Sequence, residues 1–150
     1  MANYTTDADL LEYEPQIKEY GIIDFTAAHA RTTADVQRHL RIEWWPRVKR
    51  AAVRGRYFST SDVEMDTTKL TDSQFKRAAV YHCLSFHILP KLTQHTAEPD
   101  NFRMMIDFYK GRFRDELDMV LQDGVEYDWD SSGVVSDSEK QPEHFNRLVR

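Results

Sequence analysis

Apolar side chains recur along this chain with two spacings. For most of its length they fall three and four residues apart, as in helices that bury one side. Near the end they fall on every second residue, as in a strand. The longest helical stripe is Phe25, Ala28, Thr32, Val36, Leu40 and Trp44, preceded by Asp24, a natural N-cap. Pro46 has no amide hydrogen and predicts that this helix ends or kinks at Trp45. Residues 47–70 lose the periodicity. Gly55, the run Ser59-Thr60-Ser61-Asp62 and the alternation of Val63 and Met65 predict a loop with at most a short strand. A loop of that length is functional or is pinned by a partner.

The remaining segments complete a mainly α chain. Thr6 can cap a short helix from Asp7 to about Tyr13, with Asp7 and Asp9 in its first turn. Ile17 and Tyr20 anchor the next turn and Gly21 stops it. Thr71 and Gln74 have the spacing of a capping box. The helix they open carries Phe75, Ala78, Ala79, His82, Cys83, Phe86 and Leu89, with Val80, Leu84 and Ile88 on its other sides. A helix apolar nearly all round is central to a bundle, and Pro90 ends or kinks it. A last helix starts near Pro99 or Asn101. It buries Phe102, Met105, Ile106, Tyr109, Phe113, Leu117, Val120 and Leu121, and stops at Gly124.

Val125, Tyr127 and Trp129 then fall on one side of a strand, and Glu126, Asp128 and Asp130 on the other. Ser131-Ser132-Gly133 can turn the chain and Val134-Val135 can return it. The expected fold is therefore a helical bundle of about four helices with a small C-terminal β-hairpin at 125–135 and an extended tail. Residues 1–135 form one helical domain and 136–150 a flexible segment. A lone hairpin is marginal in water and needs something to lie on, which points toward assembly more than catalysis.

Composition narrows the class. The chain has 150 residues, 41% hydrophobic and 30% charged, which suits one soluble globular domain. No apolar run approaches a membrane span, and no basic-then-apolar leader is seen. The single cysteine, Cys83, excludes an internal disulfide framework, and its helical, apolar setting favours a core residue over a nucleophile. Net charge is −5, unevenly placed. Five basic residues (Arg47, Lys49, Arg50, Arg54 and Arg56) lie between 47 and 56 without an acid. Nine acids lie between Asp115 and Glu139 without a base. Two solvated faces account for this, as does the basic edge of one copy meeting the acidic edge of the next. Dedicated DNA binding is the weakest reading of so few charges in an acidic chain.

Candidate chemistry is sparse. The six histidines (His29, His39, His82, His87, His95 and His144) make no zinc motif, and no HExxH, CxxC or GxSxG is present. His82 and His87 are five apart, about 140° around an α-helix, which is poor for a shared metal. No cofactor, metal or catalytic residue is expected. Asp128 to Glu139 does fit the spacing of a calcium loop, with oxygens at positions 1, 3 and 5, glycine at 6, an apolar residue at 8 and glutamate at 12. Ser132 replaces the usual acid or amide at position 5, and the flanking helices are missing. A turn in which Asp, Ser and Gly serve the backbone explains the same residues. Trp44 and Trp45 point about 100° apart on a helix, so Trp45 either packs under the 47–70 loop or anchors a contact. In the polar tail, Phe145, Leu148 and Val149 among Arg147 and Arg150 form a segment that orders against a partner or frays.

The order of these segments resembles the small helical head–tail connector proteins (adaptor or head-completion proteins) of long-tailed bacteriophages. The resemblance is carried by Asp7-Ala8-Asp9-Leu10-Leu11 through Tyr20-Gly21-Ile22, then Ala28, Val36 and Leu40 leading to Trp45-Pro46. Ala78-Ala79-Val80-Tyr81 to Leu84, Phe108-Tyr109 to Glu116-Leu117, and Gly124-Val125 to Tyr127-Asp128 follow. It spans about residues 7–135 and leaves out the 47–70 loop and the tail. It implies a non-enzymatic virion protein, made in the host bacterial cytoplasm and placed in the neck. Such a protein forms a ring, usually a dodecamer, docks on the portal protein, extends the DNA channel without sequence-specific binding, and offers a surface to tail or neck proteins. Phe145, Arg147, Leu148, Val149 and Arg150 would engage the portal. Trp45, Arg47, Lys49, Arg50, Arg54 and Arg56 would face the channel or a neighbour, and Tyr127, Asp128, Trp129 and Asp130 would be hairpin contacts. A calcium- or partner-responsive helical module, and less readily a small metal-dependent hydrolase, are the alternatives.

Overall fold

The computed structural model describes residues 2–54, 64–93 and 101–140, and among them the chain is mainly α-helical. Helix α1 spans Asp7–Tyr13. The Asp9 carboxylate accepts the amide and the hydroxyl of Thr6, both at 2.8 Å, and pairs with Lys76 at 2.6 Å. A single 3-10 turn, Ile17–Tyr20, ends at Gly21, whose φ of +89° lies in the left-handed region that glycine enters without strain. Helix α2, Thr26–His39, opens beneath Asp24, which accepts the Thr26 amide at 2.9 Å and hydroxyl at 2.6 Å. Its predicted stripe, Phe25 to Trp44, is buried throughout.

Of the end or kink expected at Pro46, the end does not occur. The helix does not stop there: a π-helical stretch, Leu40–Trp44, leads into α3, Trp45–Arg54. The Trp45 amide donates to the Leu40 carbonyl, five residues back. Proline cannot donate and its ring would strike the carbonyl four residues back. Widening the turn just before it moves that carbonyl aside, so the helix passes through. The same device precedes Pro90. The central helix begins as a 3-10 turn, Asp72–Phe75, continues as α4, Lys76–His82, and widens into a second π stretch, Cys83–Ile88. There the Leu89 amide donates to Leu84, again five back, and the helix then closes in a 3-10 turn, Leu89–Lys91. A wide turn returns to the same side after five residues, so His82 and His87 meet, with ring centroids 5.4 Å apart. The two rings are therefore not about 140° apart, as they would be on an ideal α-helix.

Helix α5, Asn101–Asp123, buries Ile106, Tyr109, Phe113, Leu117 and Val120 against α4, which also packs on α2. The core has two parts. One gathers Trp44, Trp45, Phe75, Phe113 and Leu117; the other gathers Leu10, Phe25, Leu84, Ile88 and Ile106. Glu43 in the first π stretch takes both guanidinium amines of Arg114, at 2.8 and 2.9 Å, tying that stretch to α5.

The expected hairpin at 125–135 is absent, and no strand occurs among the described residues. Val134 is 73% exposed and returns to nothing. Tyr127 instead bridges Leu70 in antiparallel fashion, with the Thr71 amide on Glu126 O at 3.1 Å and the Asp128 amide on Lys69 O at 3.0 Å. Gln74 helps to hold this pairing. It does not close a capping box with Thr71; its side chain donates to Gly124 O at 2.7 Å and accepts the Glu126 amide at 2.9 Å. Residues 136–140 are also not a free tail, because α6, Asp137–Lys140, is docked through the buried Glu139.

Candidate partner surface and the C-terminal loop

The three aromatic residues expected to meet other chains meet each other. Trp45, Tyr127 and Trp129 are buried, and the Trp45 and Trp129 rings stack with centroids 5.6 Å apart and planes at 6°. Trp44 closes the group, 5.8 Å from Tyr127 and 6.1 Å from Trp129. The alternation Val125, Tyr127, Trp129 does mark one buried side, but the surface it lies on is the chain's own α2–α3 junction. Asp128 and Asp130, on the opposite side, are half-buried and exposed. Of the basic run, Arg47 is exposed and Lys49 is half-buried on α3. Arg50 and Arg54 are on the same helix, their side chains outside the described residues. Arg56 and the tail residues Phe145, Arg147, Leu148, Val149 and Arg150 are likewise outside them.

The segment from Gly124 to Lys140 closes on itself. Gly124 has φ +109°, and a Cβ there would lie 2.6 Å from the Lys140 carbonyl oxygen, so only glycine fits. Within the loop, Asp128 accepts the Ser132 amide at 3.0 Å and the Gly133 amide at 2.9 Å, and Asp130 accepts the Ser132 amide at 2.9 Å. The Ser132 bonds hold the Asp130 carboxyl below its ordinary range. Gly133, at φ +82°, makes the reversal. Burial pushes the Glu139 carboxyl upward, but its hydrogen bonds outweigh this and hold it below the ordinary value. One oxygen accepts the Trp129 amide at 2.9 Å and the Asp130 amide at 3.3 Å; the other accepts the amide and hydroxyl of Ser136 at 2.8 and 2.7 Å. The Trp129 indole donates to Glu139 O at 3.0 Å. Asp128, Asp130 and Glu139 each bring one carboxylate oxygen within 4.8 Å of the others. The spacing read in the sequence thus does converge in space.

Sequence reasoning missed two features. The first is the outer face of α5. Met104 is 67% exposed, Phe108 55% and Met119 53%. They stand four and eleven residues apart on the side opposite the buried stripe, with Gly111 between them and Arg112 over the Phe108 ring at 5.3 Å. The second is a line of Thr5, His29 and Asp7, in which the imidazole joins the Thr5 hydroxyl at 2.7 Å and the Asp7 carboxylate at 3.0 Å. The Thr5 hydroxyl belongs to a buried residue, so the line ties the N-terminal segment to α2 and offers no nucleophile to a substrate. No protein-family model, curated protein or solved structure matches the chain.

Proposed function

We propose that this protein is a structural connector of a tailed-bacteriophage neck. Its copies form a ring that docks on the portal, extends the DNA channel and joins the capsid to tail or neck proteins. The reading starts from the order of segments between residues 7 and 135. The observation that carries it is the α5 outer face. A chain that buries its other long apolar stripes leaves Met104, Phe108 and Met119 in line on the surface, and an apolar line among charged residues is what an assembling subunit presents. Closed rings need head-to-tail contacts between unlike surfaces. Arg47 and its α3 neighbours at one end of the sequence pattern and the acids of 115–139 at the other supply charges that set the register.

The test is to mix the purified protein with a purified tailed-phage portal protein and examine the mixture by negative-stain microscopy. A second ring stacked on the portal is expected, weakened by removal of residues 141–150 and lost with Phe108→Ser. Unchanged portal rings with the full chain in excess would reject the connector role.

A second reading, a calcium-responsive module, is favoured by the convergence of Asp128, Asp130 and Glu139 and by the left-handed Gly133 at the motif's glycine position. Against it stands Glu139, whose oxygens already accept four donors. Calcium would have to displace them. Trp129 fluorescence that stays constant at millimolar calcium removes this reading.

A further inference from the structure

We propose that Asp35, His82 and His87 form a three-ligand site for a divalent transition metal ion of the zinc class, which would pin α2 to the central helix. The ligands come from two elements. Asp35 is on α2, His82 ends α4, and His87 lies in the π stretch that follows. His87 Nε2 is 3.0 Å from Asp35 Oδ2, and one ligand atom of each residue lies within 4.8 Å of the other two. Ligands around a tetrahedral zinc at about 2.0–2.1 Å are about 3.3 Å apart, so side-chain adjustment alone brings the three into place. The other Asp35 oxygen stays with Arg38, at 3.7 Å.

His82 is what separates this group from an ordinary surface ion pair. It is 3% exposed, and its Nδ1 has no hydrogen-bond partner among the described residues. A buried polar nitrogen without a partner is costly and calls for an explanation. The ring is held between Phe86, stacked at 4.5 Å, and Phe113, edge-on at 4.8 Å. Those contacts fix its plane in advance, as supporting groups do around metal-bound histidines. Burial pushes its pKa down to about 4, so at neutral pH the imidazole carries a free lone pair, the form that binds metal. His39, with its ring centroid 6.3 Å from that of His82, is already engaged by Glu43 at 2.9 Å and is not needed as a ligand. An entry path exists, because the side chains of His87 and Asp35 are 15% and 29% exposed. Two imidazoles and one carboxylate suit zinc, cobalt or nickel, not calcium, and leave a fourth position for water.

The test uses the full chain, stripped with a chelator and titrated with Co²⁺ alone. One equivalent should bind with the visible absorption of tetrahedral cobalt, and Zn²⁺ should displace it. Zinc at about a hundred times its dissociation constant should raise the unfolding midpoint by roughly 5–10 °C. Asp35→Asn and His87→Gln, both at partly exposed positions where folding is preserved, should each weaken cobalt binding by at least about tenfold. Asp128→Asn should leave it unchanged. Absence of the cobalt band in the folded wild-type protein would sink the proposal, as would binding that survives both substitutions undiminished. Either result would leave His82 as a core histidine beside a plain His87–Asp35 ion pair.

Discussion

Glu139 and His82 are both ionisable, both 3% exposed, and each lies beside two other side chains able to hold a cation. They meet the cost of burial in opposite ways. Glu139 keeps its charge and surrounds it with donors, three backbone amides and a hydroxyl. His82 gives up its charge and is left with a ring nitrogen that bonds to nothing among the described residues. In the first cluster the Glu139 oxygens are already taken by donors; in the second, His82 Nδ1 has no hydrogen-bond partner among the described residues. Convergence of ligand-type atoms is therefore a poor guide by itself. What matters is whether the atoms are already occupied.

The largest expected effect comes from removing the seat of the first cluster. Trp129→Ala should cost about 4 kcal/mol, because a buried indole stacked on Trp45 is lost with little room for collapse. Urea unfolding followed by circular dichroism measures it, and a cost below about 1 kcal/mol would mean that the loop is not part of the core. Next is acid. In the metal-free protein His82 stays neutral down to about pH 4, while an unfolded imidazole protonates near 6.5. The unfolded chain then binds more protons, so stability falls as pH drops through that window, by up to about 3 kcal/mol. Asp35 opposes the shift, and His87 and His39 reinforce it. The difference between wild type and His82→Leu across that range isolates the contribution. Third, Glu139→Gln keeps the shape but turns one charged acceptor into a donor facing amides, a loss of about 2 kcal/mol in the same urea assay. Smallest is His82→Leu at neutral pH without metal. No hydrogen bond is lost, so the change should stay within about 1 kcal/mol. A loss as large as that of Glu139→Gln would show that His82 has a hidden partner and would erase the contrast.

Local rules predicted the local features. The bounds of α1, the stripe of α2, the buried face of α5 and the central place of α4 all follow from spacing, caps and glycine stops. The spacing of Asp128 to Glu139 also held, since motif and loop are local. The failures arise where a distant segment decided the outcome. Val125, Tyr127 and Trp129 were legible as one face, but their partner is Leu70 and the paired tryptophans, more than fifty residues away in sequence. Gln74 has the spacing of a capping box yet serves Gly124 and Glu126. Pro46 is a helix breaker by rule, but the chain widens one turn and continues. That widening, invisible to a fixed period of 3.6 residues, also hid the meeting of His82 and His87. The exposed line on α5 was obscured because Met104, Phe108 and Met119 are apolar like the residues that α5 buries.

The two wide turns also constrain how this chain can change length. Each accommodates one residue more than the revolution it replaces, and so keeps the screw upstream and the screw downstream in step. Deleting one residue from Leu40–Trp44 or Cys83–Ile88 would restore a regular helix with its two halves still in step, but would bring a carbonyl back under the ring of Pro46 or Pro90. Shortening at these positions by single residues is thus opposed by the proline that follows, although the facing of the side chains would survive it.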